Sequence, residues 1–356
     1  MCHPSDPPND LSLQLCPHDE TCFRGVAFLA ALLPTDADSP AAASKDYLMW
    51  VDELFHVWKW LGNSPDWDFA FYMLFARVAK SNPGRIDWQP HMQWLCNKIL
   101  SSFSLPVGSK GAPQPYTYRM PGNVMLLIPG HRDKITKIAV LLIYMIGPKN
   151  DMMLQIRRLL ESMKAFFHPS NTGGWTARLS SFMYKLCEVF AMRTREEALA
   201  DSSIPEDWRL SETHWLEFVQ MLKPYVFLAQ FSKSQNMVTT AAWALRHLAY
   251  LAPSEILPPL MKRVHPALET RAETAGTFAA LSALAAVVRP LLWTEHHPQG
   301  LKHLGAAAAA DAPWHRPQRR VEDTSDATVS DGRVHERLPH RLLAAPGASR
   351  CWEGRN

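Results

Sequence analysis

Residues 152–167 read MMLQIRRLLESMKAFF, and this stretch decides the fold. Met152, Met153, Ile156, Leu159, Leu160, Met163, Phe166 and Phe167 recur at steps of three and four. Gln155, Arg157, Arg158, Glu161 and Lys164 fill the opposite arc. That spacing makes an α-helix with one apolar stripe and one wet face. The same period predicts a second helix through Leu179, Phe182, Met183, Leu186, Val189 and Phe190. A third runs through Val238, Ala241, Ala242, Leu245, Leu248 and Ala249. Weaker versions occupy 47–61, 67–80, 88–103, 133–146, 211–231, 254–265 and 273–289.

Turn formers stand between these stretches. Asn63-Ser64-Pro65-Asp66, Asn82-Pro83-Gly84, His168-Pro169-Ser170-Asn171 and Ala252-Pro253-Ser254 each stop one helix and offer a cap to the next. The chain has 28 prolines against 16 glycines, which reads as many helices separated by proline-stopped turns. Alternating strand patterns are scarce, and Pro115 to Ile128, with Tyr116, Tyr118, Pro121 and Gly122, reads as a long loop. Each helix pair leaves apolar surface that only a neighbouring pair can bury. The expected fold is therefore all-α: antiparallel helix pairs stacked as an irregular α-solenoid over residues 45–304. Residues 1–44 hold one short apolar run, Val26 to Leu33, and a linker-like Ser39 to Ser44. From Gly305 an alanine run gives way to Arg, Pro, Ser and Asp with little apolar periodicity. That composition buries too little surface to offset its ordering entropy, so 305–356 is expected to be disordered. So abrupt a shift is also what a change of reading frame produces.

Composition narrows the function. Lys plus Arg total 37 against 34 for Asp plus Glu, a net charge of +3, which gives no sign of nucleic-acid or anionic-membrane binding. The six cysteines, Cys2, Cys16, Cys22, Cys96, Cys187 and Cys351, include no Cys-x-x-Cys pair and read as reduced thiols of the cytosol or nucleus. Met1 to Asp10 is polar and does not resemble a secretory signal. Ile138 to Ile146 is far shorter than the ~20 residues a bilayer needs, and Phe278 to Trp293 contains Arg289 and Pro290.

The remaining chemistry-bearing residues have ordinary readings. Trp50, Trp58, Trp88, Trp94 and Trp243 sit among apolar residues on helical stretches and are expected to pack between helices. His296, His297 and His303 lack the companions of a zinc site, with only Glu295 nearby. Cys96 and Cys187 lie on apolar faces, where thiols are inert. Gly173-Gly174 before Trp175 reads as a turn, since no phosphate-loop pattern follows. Arg132, Lys134 and Lys137 mark one helix edge and Arg157, Arg158 and Lys164 another; both read as solvated faces, with a polyanion-binding lining as the alternative. No residue is assigned to catalysis, a cofactor or a metal, because the apolar stripes look like nearly pure hydrocarbon.

Several phrases, in this order, resemble the middle region of a known family. They are Trp50-Val-Asp-Glu-Leu54 with Trp58, Pro65-Asp-Trp67, Leu74-Phe-Ala-Arg-Val-Ala79, and Ile86-Asp-Trp88 running on to Leu105-Pro-Val-Gly-Ser109. Then come Phe167-His-Pro-Ser-Asn171 with Trp175, Phe231-Ser-Lys233, and Leu257-Pro-Pro259 leading to Pro266-Ala-Leu-Glu-Thr270. Across residues 27–304 the chain resembles the giant HEAT-repeat proteasome activator, the proteasome activator complex subunit 4 family, of which it would be an internal portion. The resemblance implies a curved HEAT-like dome seated on the end ring of the twenty-S proteasome core, stimulating peptide hydrolysis without ATP or ubiquitin. It further implies nuclear and cytoplasmic location, acetylated-histone turnover, a link to DNA repair, and binding of inositol phosphates. The family's gate-contacting element is a C-terminal hydrophobic–tyrosine–small-residue motif. This chain ends Trp352-Glu-Gly-Arg-Asn356, so docking without gate opening is expected of it. Two other classes compete with this reading: a generic HEAT-repeat adaptor, such as a nuclear transport factor, and a helical enzyme. The first calls for repeats of near-constant period, the second for polar residues converging inside the stripes.

Overall fold

The computed structural model describes residues 49–60, 65–103, 105, 134–171, 175–269 and 274–292, with single positions at 300, 302 and 305. All fall within the unit Met1–His315. The expectations for 1–44, for the Pro115 to Ile128 loop, for Gly173-Gly174, for the three histidines near 300 and for the tail beyond Gly305 lie outside them.

The described residues form ten α-helices and no strand. In chain order these are α1 (Met49–Trp60), α2 (Pro65–Ser81), α3 (Gln89–Ser102), α4 (Lys134–Met145), α5 (Met152–Met163), α6 (Trp175–Ala198), α7 (Glu212–Ala229), α8 (Gln235–Leu251), α9 (Pro253–Glu269) and α10 (Thr274–Leu292). The stripe that opened the sequence reading is α5. Its Met152, Met153, Ile156, Leu159, Leu160 and Met163 are buried, and a 3₁₀ turn, Lys164–Phe167, carries Phe167 inward as well. All six apolar positions predicted for α6, and all six for α8, are buried too.

The helices stack in two rows. Along one, α2, α4, α6, α8 and α10 each pack on the next-but-one helix in sequence. In the other, α3 lies beside α5 and α7 touches α9, and between the rows α7 and α9 lean on α8 while α9 also packs on α10. Consecutive helices thus fall in opposite rows, the arrangement of an irregular HEAT-like solenoid built from antiparallel pairs. Position in the stack explains composition. Because α4 is sandwiched between α2 and α6, Ile138, Ala139 and Leu141 to Met145 are all buried. A helix covered on several sides is apolar nearly all round. Helix α10, by length and composition alone, could cross a membrane. Here Ala279, Ala280, Ala283, Val287 and Leu291 form a buried face against its solenoid neighbours.

Proline placement corrects the sequence reading. Pro65 and Pro253 open helices, as punctuation should. Yet Pro224 lies inside α7, Pro258, Pro259 and Pro266 inside α9, and Pro290 inside α10. Each interior proline removes a backbone hydrogen bond, at a cost of ~3 kcal/mol in an isolated helix. Tertiary burial offsets it: Ile256, Leu257, Leu260, Met261, Val264 and Leu268 of α9 are all buried.

The tryptophans divide. Trp58 and Trp88 are buried, and Trp50 and Trp94 are half-buried against the core. Trp58 and Phe55 anchor an aromatic cluster in which Phe55 stacks on Phe75 and on His91 at 4.1 Å each, and Trp58 meets Trp94 edge-on at 5.1 Å. Trp243 is the exception. It is 48% exposed, because the outer face of α8 between its two row neighbours is open.

A tight approach joins two loops to the 3₁₀ turn Glu206–Trp208. The Trp208 indole lies across both Gly84 and Gly147. Gly84 has φ +76°, and a Cβ there would meet the indole at 3.0 Å; at Gly147 the added carbon would fall well inside contact distance. We predict that Gly147→Ala lowers stability by about 1–3 kcal/mol in urea denaturation. Combined with Trp208→Leu, it should cost less than the sum of the two single changes. Additive losses would show that the ring is not what the methyl group meets.

Candidate functional site

The stripes are not pure hydrocarbon, contrary to the sequence reading. Arg193 of α6 is wholly buried and Glu197 nearly so. Their spacing continues the stripe of Leu186 and Phe190 at steps of three and four, so the period carried a signal that the apolar residue types hid. Arg193 Nε donates to Glu197 Oε1 at 2.7 Å, and Nη1 donates to the Ile143 and Ile146 carbonyls at 2.6 and 2.7 Å. Nη2 reaches the Trp208 carbonyl at 3.2 Å. Glu197 Oε2 accepts from the Leu210 amide at 3.0 Å.

The Ile143 carbonyl lies in the last turn of α4 and the Ile146 carbonyl just past its end, where the negative dipole end favours a cation. Burial pulls the guanidinium below its ordinary pKa, and Glu197 opposes that pull. One residue away, Glu196 accepts from the Tyr144 hydroxyl and pairs with Lys80 of α2 at 2.7 Å. One turn of α6 therefore ties together α2, α4 and the Trp208 turn. Two further arginines act in the same way. Arg178 of α6 donates to the Phe103 carbonyl at the end of α3 (3.3 Å), and Arg263 of α9 to the Phe227 carbonyl in the last turn of α7 (3.0 Å).

A second buried charge pair holds the first helices. Lys98 of α3 lies 3.0 Å from Asp68 of α2, whose Oδ1 also accepts from Trp58 Nε1 at 2.8 Å. These groups cross-link helices rather than converge on a cavity.

The thiols and basic edges singled out in the sequence resolve as follows. Burial pushes the Cys96 thiol up to about 12 and that of Cys187 beyond it, which leaves both protonated and poorly nucleophilic. Arg157 is paired with Glu217 at 2.8 Å, joining α5 to α7, while Arg158 and Lys164 are exposed. Lys134 stands over the Tyr72 ring at 5.4 Å, and Arg132 lies outside the described residues. Arg157 and Lys134 are thus engaged in separate helix contacts, while Arg158 and Lys164 face solvent.

The exposed side of α6, α8 and α10 is different in character. Met192 of α6, Leu199 just past its end, Trp243 of α8, and Phe278 and Leu281 of α10 are exposed apolar residues. Between α8 and α10 lies an open groove of about 490 Å³. His247, beside it on α8, rests 5.9 Å from the Tyr184 ring, with Nδ1 buried and unbonded among the described residues. Burial lowers His247 to about 4; Glu188 opposes the shift, and Arg246, Arg195 and Lys185 add to it. Glu188 is held by Tyr184 and Lys185 at 2.7 Å each.

A stacked-helix scaffold with cross-linking buried charges and an exposed apolar and basic flank belongs to the class of HEAT-like binding solenoids. The family model "Proteasome activator complex subunit 4, mid HEAT repeats region" matches residues 156–305. Proteasome activator complex subunit 4B of Danio rerio is 31% identical over 299 residues, 82% of this chain and 16% of that protein. The Xenopus laevis subunit 4 is 33% identical over 298 residues, and the Arabidopsis thaliana protein 28% over 283, each with 15% of its own length matched. The chain belongs to the proteasome activator complex subunit 4 family. It spans about one-sixth of the length of the curated relatives it matches.

Two outcomes follow. Arg193→Met strands the Glu197 charge and removes the side-chain donor to the Ile146 carbonyl, and should cost about 3–5 kcal/mol in urea denaturation, most of it recovered in Arg193→Met/Glu197→Met. An equal loss in the double variant would show that the pair itself is not the cause. His247 binds its proton less readily folded (about 4) than unfolded (6.5). The unfolded chain therefore takes up the proton first, and stability present above pH 6.5 declines as pH falls through 4. In His247→Phe that acid loss should be shallower; an unchanged pH profile would count against it.

Proposed function

We propose that this chain is a docking segment for the twenty-S proteasome core, acting as part of a larger activating surface and carrying out no chemistry of its own. The observation that carries this reading is its membership of the subunit 4 family through the mid HEAT-repeat region, combined with buried charges spent on joining helices. A rigid two-row stack supports the reading physically. It holds loop ends in fixed register over a long span, which a surface that seats on a protein ring requires. In this reading residues 45–304 form the working solenoid, in the nucleus and cytoplasm, and the activity it serves needs neither ATP nor ubiquitin. Acetylated histones are the substrates whose turnover it would support, with DNA repair as the setting.

Glycerol-gradient co-sedimentation of the full chain with purified twenty-S particles tests the proposal. The chain should travel with the core, and Arg193→Met, which loosens the stack, should reduce the bound fraction. A chain that stays at the top of the gradient while folded by circular dichroism refutes it.

A further inference from the structure

The groove between α8 and α10 has a composition that selects its occupant. Neither helix contains an aspartate or glutamate. Arg246 stands on the α8 side and Arg289 on the α10 side, both exposed, and neither has a hydrogen-bond or ion-pair partner among the described residues. Trp243 and Phe278, 48% and 41% exposed, provide its aromatic surface. Ser282 and Ala285 contribute only small side chains, so a ligand can come close to the α10 backbone. Glu188 on the neighbouring helix α6 is already engaged by Tyr184 and Lys185. Arg195 of α6, over the Tyr250 ring at 6.0 Å, extends the cationic edge beyond the groove.

A solvated flank would carry charges of both signs; among the described residues of α8 and α10 this one carries a single sign flanking aromatic surface. Guanidinium groups bind carboxylates in a fork, and exposed Trp and Phe seat a large apolar side chain. The volume lies within the ~300–1,000 Å³ range of clefts that enclose compact ligands. From this geometry we infer that the α8–α10 groove docks an acidic peptide segment of a partner protein, with a large apolar residue set between carboxylates. The apolar residue would seat against Trp243 and Phe278 while carboxylates on either side meet Arg246 and Arg289. The inference does not depend on proteasome docking and is tested without the core particle.

Fluorescence anisotropy of a fluorescein-labelled Asp-Glu-Leu-Phe-Glu-Asp peptide against the full chain reads it directly. Binding should saturate and weaken as salt rises. R246E/R289E should reduce affinity by about tenfold or more, since each lost fork removes a charge-assisted contact. Trp243→Ala should also weaken binding, whereas Arg158→Glu, an exposed change on α5, should leave it intact. Circular dichroism melts establish that each variant is folded, and R246Q/R289Q replaces the reversal variant if that one is not. The proposal is overturned if the neutral Asn-Gln-Leu-Phe-Gln-Asn peptide binds equally well or if the arginine variants bind like the parent chain. It is also overturned if inositol hexakisphosphate binds there and the peptide does not. A concentration-dependent dimer that the same substitutions break would assign the groove to a second copy of the chain, and would overturn it too.

Discussion

The helices of this chain carry more apolar surface than a single neighbour can cover, and that constraint shapes everything else. Helix α4 shows it most plainly, with Leu141, Leu142, Ile143, Tyr144 and Met145 consecutive and all buried. Such a helix has no wet face to turn outward at that end, so it must be enclosed by neighbours on several sides. Placing consecutive helices in opposite rows satisfies this demand with short connections: Ala252 alone separates α8 from α9. A row then grows by addition, each new helix covering the flank left by the one before.

Stacking by hydrocarbon alone leaves a problem at the helix ends, where carbonyls without partners are drawn into the interior. Here arginines supply the donors. Arg178, Arg193 and Arg263 each reach from a later helix to the closing carbonyls of an earlier one. Arg193 does this from full burial, with Glu197 to balance its charge. A guanidinium suits the task because its planar fork serves several acceptors at once and stays charged even when burial opposes it. The apolar stripes give the stack its cohesion, while these polar clamps fix the position of one helix end against the next.

The same logic separates scaffold from surface. Where rows are covered, charges are paired across helices: Asp68 with Lys98, Glu196 with Lys80, Glu197 with Arg193. On the open side of α8 and α10 the basic residues have no acidic counterparts among the described residues, and the aromatic rings are not tucked away. Side chains that a monomer leaves uncompensated in this way are those whose partner comes from outside.

By itself the sequence determined that the chain is helical and which faces of α5, α6 and α8 turn inward, because a three-to-four step of apolar residues has one helical solution. It also placed Cys96, Cys187, Trp58 and Trp88 inside, and its ordered phrases pointed to the family. Only the tertiary structure decided what departs from the pattern. Prolines at 224, 258, 259, 266 and 290 remained within helices because burial outweighs the lost hydrogen bonds. Arg193 and Glu197 went inside, although residue type assigns them to water, because α4 ends where Arg193 can donate to its closing carbonyls while Glu197 balances the charge. Trp243 stayed half-exposed because no described residue covers the outer face it occupies. In each case the deciding quantity is a distance between segments remote in sequence, and local periodicity holds no record of that.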